Sequence, residues 1–272
     1  MNHSSPVYAL GNTDAEHERL MWQAARMAPL TERLFREAGV GPGQRVLDIG
    51  SGVGDVAMLA ARLVGSAGEV VGIEQDAKSI ARARARVADA GLRNVSLIQT
   101  DVSQIPANDP FDAVVGRFIL MFLPDPVAVV RSLSRLVRPG GVVAFQEPSW
   151  APALALSAPL PLWSAATSLI HETFLRSGAN PEQGFALYRV FEEAGLPGPA
   201  MQSEMPLGKD PDISQWYYDL LCTLLPRMQE FNLPLAPVGR LDTLLPRLRA
   251  EVAASNTVVS SPAFIGAWAR KR

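Results

Sequence analysis

Apolar positions along the chain change period more than once. From residue 13 to residue 38 they recur at helical spacing through Leu20, Ala24, Met27, Leu30, Leu34 and Phe35, which predicts two helices broken at Pro29, whose ring removes a backbone donor. Between residues 45 and 146, short apolar runs alternate with amphipathic stretches. Strands are predicted near Arg45–Ile49, Val70–Glu74, Val95–Gln99, Phe111–Gly116 and Val142–Gln146, with helices near Asp55–Leu63, Ala77–Ala90 and Pro126–Val137. Strands alternating with helices imply crossover connections, so the expected fold class is α/β around a mostly parallel sheet.

Beyond Glu147 the strand pattern lapses. Pro148, Pro152, Pro159 and Pro161 predict extended chain leading into one helix, Leu162–Ser177. A core helix Ala186–Ala194 stopped by Gly195, a strand-like Ala200–Pro206, two amphipathic helices at Ile213–Gln229 and Val238–Ala254, and a last strand Phe264–Ala269 complete the prediction.

Composition narrows the partners. The chain has 272 residues, 48% of them hydrophobic, enough to bury one large core. A net charge of -2 and dispersed cations leave no basic field for nucleic acid, and the alternating Arg82, Arg84 and Arg86 point to different helix faces. No apolar run reaches the roughly 18 residues that would cross a bilayer, so no membrane partner is expected. Cys222 is the only cysteine, which excludes a disulfide framework and fits a cytoplasmic location. A homodimer stays open, and no compact metal-ligand cluster is visible.

The densest chemistry lies in Val46-Leu47-Asp48-Ile49-Gly50-Ser51-Gly52-Val53-Gly54-Asp55, an apolar strand running into a glycine turn and a helix. Glycines let backbone approach a ligand closely. A dinucleotide turn would want glycine or alanine at position 55, and Asp55 would repel a pyrophosphate there. Glu74 closes the second strand, where a carboxylate can accept from both hydroxyls of a ribose. Then follow Gln99-Thr100-Asp101-Val102, the run Phe111 to Phe118 containing Arg117, and Pro139-Gly140-Gly141 before the fifth strand.

In order and spacing, this set resembles the class I S-adenosylmethionine-dependent methyltransferases over roughly residues 40–147. The resemblance implies a Rossmann-like, mostly parallel seven-stranded sheet with helices on both faces and a helical lid. It implies S-adenosyl-L-methionine as cofactor, held by Asp48, Gly50, Ser51, Gly52, Gly54, Glu74, Gln75, Asp101, Val102, Arg117 and Phe118. The expected organisation is one domain: an N-terminal lid segment 1–40, a cofactor-binding core 41–148, a lid insertion 149–178, core continuation 179–206, a second insertion 207–256 and a final core strand 257–272.

Segments outside the alternating pattern should gather beyond the carboxyl ends of the strands and form that lid. They carry Tyr8, Trp22, Trp150, Trp163, Phe174, Trp216, Tyr217, Tyr218 and Phe231, which suits a small, aromatic or largely apolar acceptor methylated on oxygen, nitrogen or carbon. Of the aromatics, Tyr8 and the Trp216-Tyr217-Tyr218 cluster are expected to line the pocket, and Trp22 and Trp268 to pack in the core. Of His3, His17 and His171, the last lies in an expected lid helix and is the expected general base, with Tyr8 as an alternative. Glu147, ending the fifth strand, is expected to anchor a polar group of the acceptor or stabilise a developing cation, with capping of a neighbouring amide as the equal alternative. Arginine-rich, lysine-poor usage suggests bacterial secondary metabolism and natural product biosynthesis. Two other readings remain: an enzyme of this fold using the bound cofactor for cyclisation or elimination, and an NAD-dependent oxidoreductase.

Overall fold

The computed structural model describes residues 14–105 and 109–272, so Tyr8 and His3 lie outside the described residues. In chain order the strands are β1 (Arg45–Ile49), β2 (Glu69–Glu74), β3 (Val95–Gln99), β4 (Phe111–Arg117), β5 (Val137–Ser149), β6 (Ala200–Glu204), β7 (Leu207–Gly208), β8 (Val259–Ser260) and β9 (Ala263–Arg270). The helices are α1 (Asp14–Ala38), α2 (Asp55–Val64), α3 (Ala77–Asp89), α4 (Pro126–Leu136), α5 (Ala151–Ser157), α6 (Pro161–Arg176), α7 (Gln183–Glu193), α8 (Pro211–Glu230) and α9 (Leu244–Ala254). No helix among the described residues is long and apolar enough to cross a membrane.

Seven strands form one sheet in the order β3-β2-β1-β4-β5-β9-β6. β1 to β5 are parallel to one another, and β9 runs antiparallel between β5 and β6. Strands covered on both faces read as continuous apolar runs, and Val46, Leu47, Val114 and Val143 are fully buried. The strand order reverses between β1 and β4, which leaves a crevice beyond their carboxyl ends.

Two apolar layers sandwich the sheet. One joins α1 and α2 through Leu34, Phe35 and Val64; the other joins α4 and α7 through Leu133, Leu187 and Phe191. A third cluster, including Trp163, Ile170, Tyr217, Leu224 and Leu248, holds α6, α8 and α9 together. Trp163 Nε1 donates to the Leu248 carbonyl at 3.0 Å, and the Glu251 carboxylate accepts the amides of Leu162 and Trp163 at 3.0 and 2.9 Å. That carboxylate caps an otherwise open helix start.

Three local expectations need correction. α1 is continuous through Pro29 instead of broken there. The ring removes the bond to the Ala25 carbonyl, but Ala25 and Pro29 are both exposed, so water can take that acceptor while the opposite face packs. The stretch after Pro148 contains α5 as well as α6, because Pro152 and Pro161 occupy first-turn positions where no intrahelical donor is required. The segment from Val238 becomes α-helical only at Leu244, after a 3-10 turn at Leu241–Thr243.

Candidate active site

β1 delivers the chain to the crevice through Gly50, Ser51 and Gly52. Gly50 has φ +64, and a β-carbon there would lie 2.6 Å from the Ile119 side chain, so only glycine lets the turn after β4 pack against this loop. Gly52 has φ +52, and a β-carbon there would meet nothing within 4 Å: it would point into open space. Gly54 caps the start of α2. Ser51 is buried, and its hydroxyl has no hydrogen-bond partner among the described residues.

Asp48 lies behind this loop, 1% exposed, and its carboxylate has no side-chain hydrogen-bond partner among the described residues, the Ala57 amide being the neighbouring donor. Burial pushes its pKa well above the usual carboxylate range, opposed by the positive charge of Arg117. Glu74 is held differently. Its Oε2 accepts the Gly52 amide at 3.0 Å and its Oε1 the Asp76 amide at 2.9 Å, which fixes the carboxylate while leaving further lone pairs for a ligand.

These groups open into a cavity of about 570 Å³. Gly50, Ser51, Gly52, Glu74, Gln75, Arg117 and Phe118 line it, and so do Asp55, Asp76 and Ser79. Asp48, Gly54, Asp101 and Val102 do not. Asp55 pairs with Arg86 at 2.6 Å, which gives one arginine of the 82–86 run a structural task. Phe118 adopts φ 55, rare for a side chain of that size, and its ring lies 5.6 Å from Phe264.

The opposite wall is aromatic. Phe122, Trp150, Phe174, Trp216 and Phe264 face the cavity with Pro148 and Pro262, and the Trp150 and Trp216 rings stack at 6.1 Å. Trp216 lines the cavity as expected, but Tyr217 and Tyr218 do not, since successive residues on α8 point about 100° apart. Tyr217 is buried and donates to the Ser260 carbonyl at 3.0 Å. Trp22, partly buried, packs at the edge of the helical cluster with Arg26 stacked 3.5 Å above its ring, and Trp268 packs against the layer of α1 and α2.

Two expected catalytic residues lie elsewhere. His171 is absent from the cavity lining, its Nε2 3.3 Å from Glu182 Oε1. Glu147 is fully buried but turned away from the cavity, its carboxylate accepting the amides of Ile119, Leu120 and Met121 at 3.0, 2.8 and 3.2 Å. It shapes the turn after β4 instead of touching an acceptor. Among the described residues no group of histidine, cysteine and acidic side chains could hold a metal ion.

Sequence reasoning put the N-terminal segment in the lid but did not single out the polar residues that α1 brings to the cavity. Arg19 lines the cavity with its side chain only 4% exposed, paired to Glu16 at 2.6 Å, and donates to Gln23 at 2.7 Å. Gln23 accepts from Trp216 Nε1 at 2.8 Å, and His17 Nε2 lies 3.2 Å from Ser79 Oγ. Polar residues on the buried stripe of a helix were the available signal.

A family model described as a methyltransferase domain matches residues 41–195, more than half of the chain. A ubiquinone/menaquinone biosynthesis C-methyltransferase, UbiE, of Coxiella burnetii is 38% identical over 119 residues, 42% of this chain and 48% of that protein. An uncharacterized protein of Mycobacterium tuberculosis is 36% identical over 118 residues, 43% of this chain and 42% of its own length. The chain thus spans about half the length of the curated relatives it matches. A solved putative methyltransferase from Bacillus halodurans superimposes with TM-score 0.60 at 20% identity, covering 88% of this chain and 97% of that one. YcgJ from Bacillus subtilis does so at 0.60 and 15%, covering 91% and 99%, which shows a shared fold. With its sheet order, its glycine loop and the matched domain, the chain belongs to the class I S-adenosylmethionine-dependent methyltransferases.

Proposed function

We propose that this methyltransferase acts on a small, largely apolar organic acceptor held between the glycine loop and the aromatic wall. One observation carries the reading: the loop and the wall line a single cavity of about 570 Å³, within the range of small-molecule sites.

The residues fit the cofactor. The open space in front of Gly52 admits it, the unused lone pairs of Glu74 suit ribose hydroxyls, and the Asp48 carboxyl, without a side-chain partner among the described residues, suits a nearby ammonium group. Bound there, the cofactor supplies an electrophilic methyl on a sulfonium. What the chain then contributes is positioning, worth up to about 7–11 kcal/mol when the reacting atoms are held near 3–3.5 Å. Among the described residues no histidine or tyrosine lines the cavity, which favours an acceptor atom already nucleophilic on arrival. The name of the Coxiella relative agrees with carbon as that atom, although the match covers 42% of this chain.

α1, α5, α6, α8 and α9 act as a lid over the acceptor in this proposal, and bacterial secondary metabolism is its setting. To test it, the full chain is incubated with methyl-labelled S-adenosylmethionine and a panel of phenols, quinols and aromatic amines. Label in an organic extract with release of S-adenosylhomocysteine is expected. Product formed without cofactor consumption would replace the reading with cyclisation or elimination, and thermal stabilisation by NAD alone would overturn it.

A further inference from the structure

Gln23 sits where the polar stripe of α1 meets the aromatic wall. Its Oε1 accepts from Arg19 Nη1 at 2.7 Å and from Trp216 Nε1 at 2.8 Å, and an amide oxygen has two lone pairs, so both are taken. Two donors on one atom also settle which end of the amide is the oxygen. The nitrogen is left on the other side with two N–H groups, and among the described residues its one partner is the Met27 sulfur at 3.8 Å. A thioether is a weak acceptor, and the second N–H has none.

The surrounding network holds that amide in place and neutralises the cation beside it. Arg19 forks onto Glu16 through Nε and Nη2 at 2.7 and 2.6 Å, and Thr223 of α8 donates to the same carboxylate at 3.1 Å. The Arg19 and Glu16 side chains are 4% and 1% exposed, so the charge of Arg19 is spent inside the protein. What remains with spare donor capacity at this wall is a neutral amide. It suits an oxygen that accepts a hydrogen bond and does not demand a full negative charge.

Position separates this donor from the cofactor end. Gln23, Trp216 and Phe264 line the main cavity, and the same three residues line a second cavity of about 210 Å³, bounded also by Trp22, Met27 and Ile213. Neither the glycine loop nor Glu74 reaches the second cavity. Gln23 therefore stands on the acceptor side. A hydrocarbon packed against that wall would shut water away from the idle N–H, whereas an oxygen on the ligand would satisfy it.

We propose that Gln23 is a specificity-determining residue: its side-chain N–H donates to an oxygen carried by the acceptor, a ketone carbonyl or a phenolic oxygen on an otherwise apolar ring system. The inference rests on the acceptor reading above.

The test uses 1-tetralone and tetralin, bicyclic probes of one shape in which a carbonyl replaces a methylene, so the first offers an acceptor oxygen and no donor. Binding to the full chain saturated with S-adenosylhomocysteine is followed by tryptophan fluorescence. The quantity compared is the ratio of the two affinities, from which partition out of water and general changes in the cavity cancel. Gln23→Glu keeps an oxygen for Arg19 and Trp216 but puts a second oxygen where the N–H groups were. The ketone-to-hydrocarbon ratio should fall about fivefold to tenfold in Gln23→Glu and by a similar factor in Gln23→Leu, while S-adenosylhomocysteine affinity changes less than about threefold. The leucine variant carries no charge and gives the answer if the glutamate variant folds poorly. An unchanged ratio in a folded variant would overturn the assignment. A fall in S-adenosylhomocysteine affinity with the ratio unchanged would place Gln23 at the cofactor and overturn it as well. Failure of the unmodified protein to bind either probe would strike the acceptor reading itself, and this inference with it.

Discussion

Glu147 Oε1 lies 2.8 Å from the backbone nitrogen of Leu120, and the same carboxylate also receives the amides of Ile119 and Met121. Three donors from one turn converge on one buried acid. Ile119, Met121 and Phe122 all line the cavity, so the carboxylate at the end of β5 sets the shape of a wall it does not itself touch. Burial raises its pKa to about 8 against the pull of those three amides.

That shift gives stability a pH dependence of definite sign. The unfolded chain ionises this group near its ordinary value of roughly 4.3, whereas the folded protein keeps the proton until pH reaches about 8. Its contribution is thus fully present below about pH 4.3 and is lost as pH climbs toward 8, by up to about 1.4 kcal/mol per pH unit. Glu147→Gln should flatten this component, because an amide keeps an acceptor oxygen and does not titrate. Urea midpoints measured from pH 5 to pH 9 check the point, and parallel curves for both proteins would refute it.

Glu74→Ala should weaken cofactor binding tenfold or more. The substitution removes the ribose acceptor and also strands the amides of Gly52 and Asp76, each otherwise satisfied within 3.0 Å. Glu74→Gln separates the two effects, since its oxygen can still take one amide. Unchanged calorimetric affinity in Glu74→Ala would show that the ribose lies elsewhere.

Gly52→Val should abolish binding and leave a folded protein. The valine side chain enters the space in front of the loop, and a β-branched residue at φ +52 costs of order 1–3 kcal/mol. A native circular dichroism spectrum, a modestly lowered Tm and no heat of cofactor binding make up the expected result. Normal binding would mean that the ligand does not approach this loop.

The alternating half of the fold was legible because each element writes its own local pattern. β1 to β4, α2 and α3 follow from apolar runs and helical spacing, and the bounds of β1 and β3 agree residue for residue. Glu74, Gln75, Arg117 and Phe118 come to the cavity because motif and strand end coincide. The cap was less legible because its chemistry is nonlocal. Gln23 and Trp216 meet across 193 residues, and Arg19 reaches the cavity from a helix that continues through Pro29. His171 misled for a related reason: a helix beside the cavity has several faces, and rarity of histidine does not choose among them.

His171→Ala should leave turnover and its pH profile unchanged within about twofold. Its imidazole touches Glu182, whose Oε1 also accepts the Trp150 amide at 3.1 Å, so loss of the ring reaches the cavity only through a neighbour's backbone. Trp216→Ala gives the contrast. It removes a ring that lines the cavity, stacks on Trp150 and donates to Gln23, so both the aromatic wall and the link from α1 to α8 are lost together. Acceptor KM should rise at least tenfold while S-adenosylhomocysteine affinity moves far less, given that the ribose and loop contacts are intact. Steady-state kinetics of the two variants with one identified acceptor provide the check. A bell-shaped profile that flattens in His171→Ala would restore histidine as the base, and an unchanged KM in Trp216→Ala would remove the aromatic wall from acceptor binding.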